Sequence, residues 1–171
     1  QARLPLSDKS IQFMKMMGIK YPIIQAPTGG VVRPSMTIAV ADKGVLGAIP
    51  LTWTSPEKAS EYVKTIQSST EGSFFANFLL QFEPKSLDET LKAGVKVVQF
   101  SWGIPSKEIV KKLRKSGVTI GIQVTSEASA LAAINAGADY LVCQGIEAGG
   151  HVHASRPLAS ALKRVLKVAG D

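Results

Sequence analysis

Short apolar, β-branched runs alternate along the chain with longer stretches whose apolar positions recur every three or four residues, and Gly, Pro or Ser stands at almost every junction. The short runs predict strands at 22–25, 46–49, 74–78, 95–100, 119–124 and 140–143. The longer stretches predict helices at 7–17, 34–43, 55–68, 86–93, 106–116, 126–136 and 157–168. Ser55-Pro56-Glu57 and Ser106-Lys107-Glu108 each set a hydroxyl cap ahead of a first-turn carboxylate, which satisfies free amides and suits the helix dipole. One phrase occurs three times, as Lys92-Ala93-Gly94-Val95, Lys115-Ser116-Gly117-Val118 and Asn135-Ala136-Gly137-Ala138. In each, a glycine just past a helix can take the left-handed conformation that ends it before the next strand.

Such βα repetition, with strands apolar on both faces, implies a parallel sheet covered by helices, either a closed barrel or an open doubly wound sheet. Gly29-Gly30 lacks the remaining glycine of a dinucleotide-binding fingerprint. The placement of polar residues favours the barrel: Gln25, Asn77, Ser101, Gln123, Thr125 and Gln144 lie at strand ends and would ring the C-terminal rim where such barrels build their sites. The expected fold is therefore α/β, a TIM (β/α)8 architecture represented by about six βα units. Residues 1–171 read as a single domain holding the N-terminal three-quarters of a barrel.

Composition narrows the function. At 45% hydrophobic and 19% charged, the chain is globular rather than disordered. Its single cysteine, Cys143, excludes an internal disulfide and a four-cysteine zinc site, so a reducing, cytoplasmic setting and no metal are expected. The formal charge of +7 invites a nucleic-acid reading. Its densest cluster, Lys111, Lys112, Arg114 and Lys115, falls on a helix without interleaved aromatics to stack bases, so a solvated face is expected and no nucleic-acid partner. No apolar run is long enough to span a membrane.

Two segments carry candidate chemistry. Gln144-Gly145-Ile146-Glu147-Ala148-Gly149-Gly150-His151 follows an apolar strand; its paired glycines let backbone amides approach a ligand, and the imidazole can give or take a proton. Gln25-Ala26-Pro27-Thr28-Gly29-Gly30 ends the first strand in the same manner. His153 reads as a surface residue and Cys143 as a buried, inert thiol.

These two segments, with Phe75-Ala76-Asn77 and the run from Val97 to Ser106, resemble in order the nitronate monooxygenase family, formerly called 2-nitropropane dioxygenase. That family shades into flavin-dependent enoyl reductases and NAD(P)H:quinone reductases. The resemblance covers nearly the whole chain and implies an FMN enzyme on a TIM barrel, with a small-molecule substrate. On it, Ala26, Pro27, Thr28 and Gly29 would line the isoalloxazine, Asn77 and Gln144 would bind FMN through their amides, Gly149 and Gly150 would add backbone contacts, and His151 would handle a proton. The implied reaction is oxidation of a nitroalkane or nitronate with O2 reoxidising the flavin; the alternative is NAD(P)H-dependent reduction of a quinone or enoyl substrate. Ser101 stands where many members carry His, which removes one candidate base and strengthens that alternative. Thr28 replaces the family's usual Met, a change expected to alter packing beside the ring. The FMN phosphate in such barrels sits on loops after the seventh and eighth strands, which six units do not include. A third reading follows from the two edges that six strands leave unpaired: a non-catalytic barrel fragment acting by self-association as a homo-oligomer.

Overall fold

The computed structural model describes residues 5–170. After α1 (Asp8–Met17) and α2 (Pro34–Ala41), strands and helices alternate as β1 (Gly47–Pro50), α3 (Pro56–Ser69), β2 (Phe74–Leu79), α4 (Leu87–Lys92), β3 (Val97–Ser101), α5 (Lys107–Lys115), β4 (Thr119–Val124), α6 (Glu127–Ala136), β5 (Tyr140–Cys143) and α7 (Leu158–Ala169). All strand pairs are parallel, and the sheet order runs β1-β2-β3-β4-β5 without reversal. A doubly wound sheet reverses its strand order at a switch point, whereas a barrel wall advances in one direction. The fold is thus a partial TIM barrel.

The expected strand at 22–25 is not a strand. It contributes one parallel bridge, Ile24 with Leu46, flanked by the bonds Gln25 N–H to Leu46 O (2.9 Å) and Leu46 N–H to Ile23 O (3.1 Å). Pro22 and Pro27 supply no N–H donor, so the segment holds only a short ladder along the edge of β1.

Period-two alternation divides the core. Ile49, Phe74, Ala76, Phe78, Val98, Phe100, Ile120 and Ile122 pack on one face against Val63, Ile66, Leu113, Ala130 and Ala133 of the helices. The other face carries Leu46, Ala48, Phe75, Val97 and Tyr140 toward the strand starts, covered by Met17 with Phe13 and Met14 of α1. Continuing along this inner face, Asn77 follows Phe75 and Gln99 follows Val97, so the inner wall turns polar toward the C-terminal rim.

The turn signals hold. Gly94, Gly117 and Gly137 have φ of 89°, 67° and 100°, and in the last two turns the next residue donates back to the helix, Val118 to Leu113 O and Ala138 to Ala133 O, both at 3.0 Å. Ser55 and Ser106 cap α3 and α5 through their hydroxyls. The cationic cluster is a solvated face: Lys112 pairs with Asp88 at 2.9 Å, and Arg114 grips both carboxylate oxygens of Asp139, at 2.7 and 3.0 Å.

Under the polar layer, the buried Tyr140 hydroxyl donates to Gln99 Oε1 at 3.1 Å. Desolvation pushes this phenol well above the usual tyrosine value, with the neighbouring Asp139 charge adding to it. The neutral form is therefore the one the fold favours. Its contribution is complete below about pH 10, where unfolded tyrosine titrates, and is lost as pH rises above that. Denaturant titrations between pH 9 and 11 should show wild type losing stability more steeply than Tyr140→Phe; parallel slopes would contradict this.

Candidate functional site

A cavity of about 580 Å³ opens at the C-terminal ends of the strands, within the range typical of small-molecule sites. Every residue that the family resemblance assigns to the flavin or the proton lines it: Ala26, Pro27, Thr28 and Gly29 on one side, Asn77 in the inner wall, and Gln144, Gly149, Gly150 and His151 on the other. Of the polar rim, Gln25, Ser101 and Gln123 join them. Thr125 does not line it. Strand β4 ends at Val124, and the Thr125 N–H instead donates to Ser129 Oγ at 3.0 Å in the first turn of α6.

The inner wall is a layer of amides. Asn77 and Ser101 are both buried, and the Ser101 hydroxyl donates to Asn77 Oδ1 at 3.2 Å. Gln25 accepts the Ala48 N–H through Oε1 at 2.9 Å, which turns its Nε2 away from that strand. Gln25 Nε2 and Gln123 Nε2 are buried donors without a protein partner. An unmade bond at such a donor costs about 1–3 kcal/mol. Gln99 is a further wall residue that strand-end reasoning misses; stepping back two residues from Ser101 along the same face would have found it.

Gln144 is occupied differently from expectation. Its Oε1 accepts the His153 and Ala154 N–H groups, at 2.8 and 3.2 Å, and its Nε2 donates to the His151 carbonyl at 3.3 Å. The amide clasps the glycine loop from inside, leaving one N–H for a ligand. His153 is exposed, as its sequence position suggested, yet its ring stacks on Trp102 with centroids 4.6 Å apart. Trp102 has φ 58°, the one positive value outside glycine among the described residues, a conformation that costs roughly 1–2 kcal/mol. Glu147 Oε2 accepts the Leu158 N–H at 2.9 Å, so this carboxylate already occupies the start of α7 where an anion would otherwise bind.

The model of the nitronate monooxygenase family matches residues 10–92 and 81–170. The chain belongs to the nitronate monooxygenase family. It is 29% identical to nitronate monooxygenase of Pseudomonas aeruginosa over 82% of this chain and 51% of that protein, and 28% identical to a probable nitronate monooxygenase of Bacillus subtilis over 85% and 52%. It thus spans about half the length of the curated relatives it matches. Among solved structures, a mutant (M276A) of FabK from Thermotoga maritima superposes with a TM-score of 0.84, at 24% identity over 93% of this chain and 54% of that one. A nitroalkane oxidase from Streptomyces ansochromogenes superposes at 0.79, at 24% identity over 92% and 58%. Both show the shared barrel fold.

For a nitronate monooxygenase family member, the wall fits the flavin that the family implies. A flavin's pyrimidine edge presents carbonyl acceptors, which suits orphaned amide donors better than carboxylates would. Gly150 has φ 71°, and a Cβ at Gly149 or Gly150 would meet no protein atom within 4 Å, so this stretch of the loop faces open space. Cys143 lies half-buried in the cavity wall rather than fully buried, and desolvation pushes its thiol upward, leaving it protonated at neutral pH. No group of His, Cys, Asp and Glu among the described residues is arranged to hold a metal ion. No described helix is long and apolar enough to cross a membrane.

Proposed function

We propose that this chain forms the ring-binding wall of an FMN-dependent oxidoreductase that oxidises a small nitroalkane or nitronate, with O2 returning the flavin to its oxidised form. The observation that carries the reading is the pair of buried, unpartnered amide donors, Gln25 Nε2 and Gln123 Nε2, in one cavity wall with Asn77. When bound, the flavin supplies reversible electron acceptance, so the chain need only place the ring, shield it and manage a proton. Gln25 and Gln123 donate to the ring's acceptor edge, with Asn77 and the remaining Gln144 N–H adding to this set. Ala26, Pro27, Thr28 and Gly29 lie along the ring, and Gly149 and Gly150 admit it close to backbone. His151, the imidazole among the residues lining the cavity, takes the α-proton where the substrate is the neutral nitroalkane, a general-base role that an imidazole suits.

A second reading is NAD(P)H-driven reduction of a quinone or enoyl substrate. Ser101 favours it: this position carries a buried hydroxyl committed to Asn77 and cannot act as a base. Anaerobic mixing of the oxidised full-length protein with a nitronate, and separately with NADPH, separates the two by loss of the flavin absorbance. Bleaching by the nitronate is expected; bleaching by NADPH alone would replace the first reading with the second, and bleaching by neither would remove both.

A further inference from the structure

Strand pairing across β3, β4 and β5 sets Gln99, Gly121 and Tyr140 in one row of the inner face. The middle position has no side chain, and the Tyr140 ring lies across it: a Cβ on Gly121 would collide with the ring and its oxygen. Through that gap the Tyr140 hydroxyl reaches Gln99 Oε1 at 3.1 Å. Tyr140 and Gln99 are only 7% and 4% exposed, so their polar atoms need partners in the fold or in a ligand.

An amide side chain can offer a neighbour either its carbonyl or its N–H groups. Here the choice is forced. Tyr140 Oη makes no other hydrogen bond among the described residues, and an amide turned the other way would leave the phenolic proton unpaired in the core. Oε1 therefore points to Tyr140, and Nε2, without an acceptor among the described residues, is left to the cavity that Gln99 lines. The wall around it is arranged alike. The amide oxygens of Gln25, Asn77 and Gln144 are also taken by protein donors, so N–H groups rather than carbonyls are left for a ligand. Among the described residues no Lys or Arg lines the cavity, so fixed amide donors are what meets negative charge there. We infer that Tyr140, reaching over Gly121, is a positioning residue that fixes Gln99 as a hydrogen-bond donor to the bound flavin and so raises the flavin's reduction potential. The inference rests on the flavin-dependent reading above. An N–H held against the ring stabilises the negative charge that two-electron reduction brings to it, whereas a carbonyl in the same place opposes that charge.

Dithionite titration of the full-length, FMN-loaded protein against a reference dye reads this at equilibrium. Gln99→Leu should lower the reduced-to-oxidised ratio at a given potential about tenfold, the worth of one hydrogen bond and about 30 mV for a two-electron couple. Tyr140→Phe removes one oxygen and keeps the ring. It should move the potential in the same direction, because the freed amide can turn its carbonyl to the flavin. In the Gln99→Leu background, Tyr140→Phe should then add nothing. A Tyr140→Phe shift that persists in full without Gln99 would overturn the inference. So would an unmoved potential in Tyr140→Phe, even where Gln99→Leu fails to fold. A full-length protein that takes up no FMN would sink the flavin reading and this inference together, whereas a yellow protein with one potential in all variants would sink this inference alone.

Discussion

Gly121→Ala should lower the thermal unfolding midpoint by about 6–12 °C, the equivalent of about 3 kcal/mol for a domain of this size. An ideal Cβ at this position would lie 2.1 Å from Tyr140 Cζ and 2.4 Å from its Oη, far inside van der Waals contact. The ring has no simple escape. Gly121 and Tyr140 are register partners on adjacent strands, Phe13 meets the ring edge-on at 5.5 Å, and the hydroxyl is held by Gln99. Packed interiors respond to such an insertion by shifting backbone or leaving rotamer wells. Because the strain lies in this one pair, Gly121→Ala combined with Tyr140→Val should lose less than the sum of the two single changes. Additive losses would show that glycine is needed here for some other reason. Calorimetric scans of the three variants decide it.

Gln144→Ala should cut turnover about a hundredfold while leaving flavin content close to wild type, because the amide's main bonds go to the loop that carries His151. Misplacing a reacting group by about 1 Å can cost on the order of a hundredfold in rate. The loss should appear in kcat rather than KM and should distort the pH profile of the step His151 serves. Gln144→Glu retains the acceptor for the His153 and Ala154 N–H groups and surrenders the donor to the His151 carbonyl, so it should fall between the two. If flavin departs from Gln144→Ala in proportion to the activity lost, the amide's remaining N–H to the ring, not its hold on the loop, carries the effect and the positioning role is wrong.

Much of this molecule is legible in one dimension because its signals are local. A glycine after a helix, as at Gly94, Gly117 and Gly137, or a serine cap such as Ser55 or Ser106, acts within a few residues. Strand alternation shows which side chains share a face, and so Asn77, Ser101 and Gln123 reach the cavity together. Failures occur where the partner is remote. The segment at 22–25 reads as a strand by composition, yet a strand needs neighbours, and its prolines leave it one bridge. Thr125 fails for a local reason instead: β4 ends at Val124, and the Thr125 N–H goes to Ser129 in the first turn of α6. Gln144 finds its partners seven to ten residues onward across an aperiodic loop. Tyr140 finds Gln99 two strands away.

Titration of FMN into the full-length protein and its Gln123→Leu variant, followed by the visible flavin bands, bears most directly on the amide wall as a flavin site. We expect one equivalent bound by wild type and about tenfold weaker binding by the variant, the value of one hydrogen bond to the ring. No binding, or equal affinity in the two proteins, would contradict it.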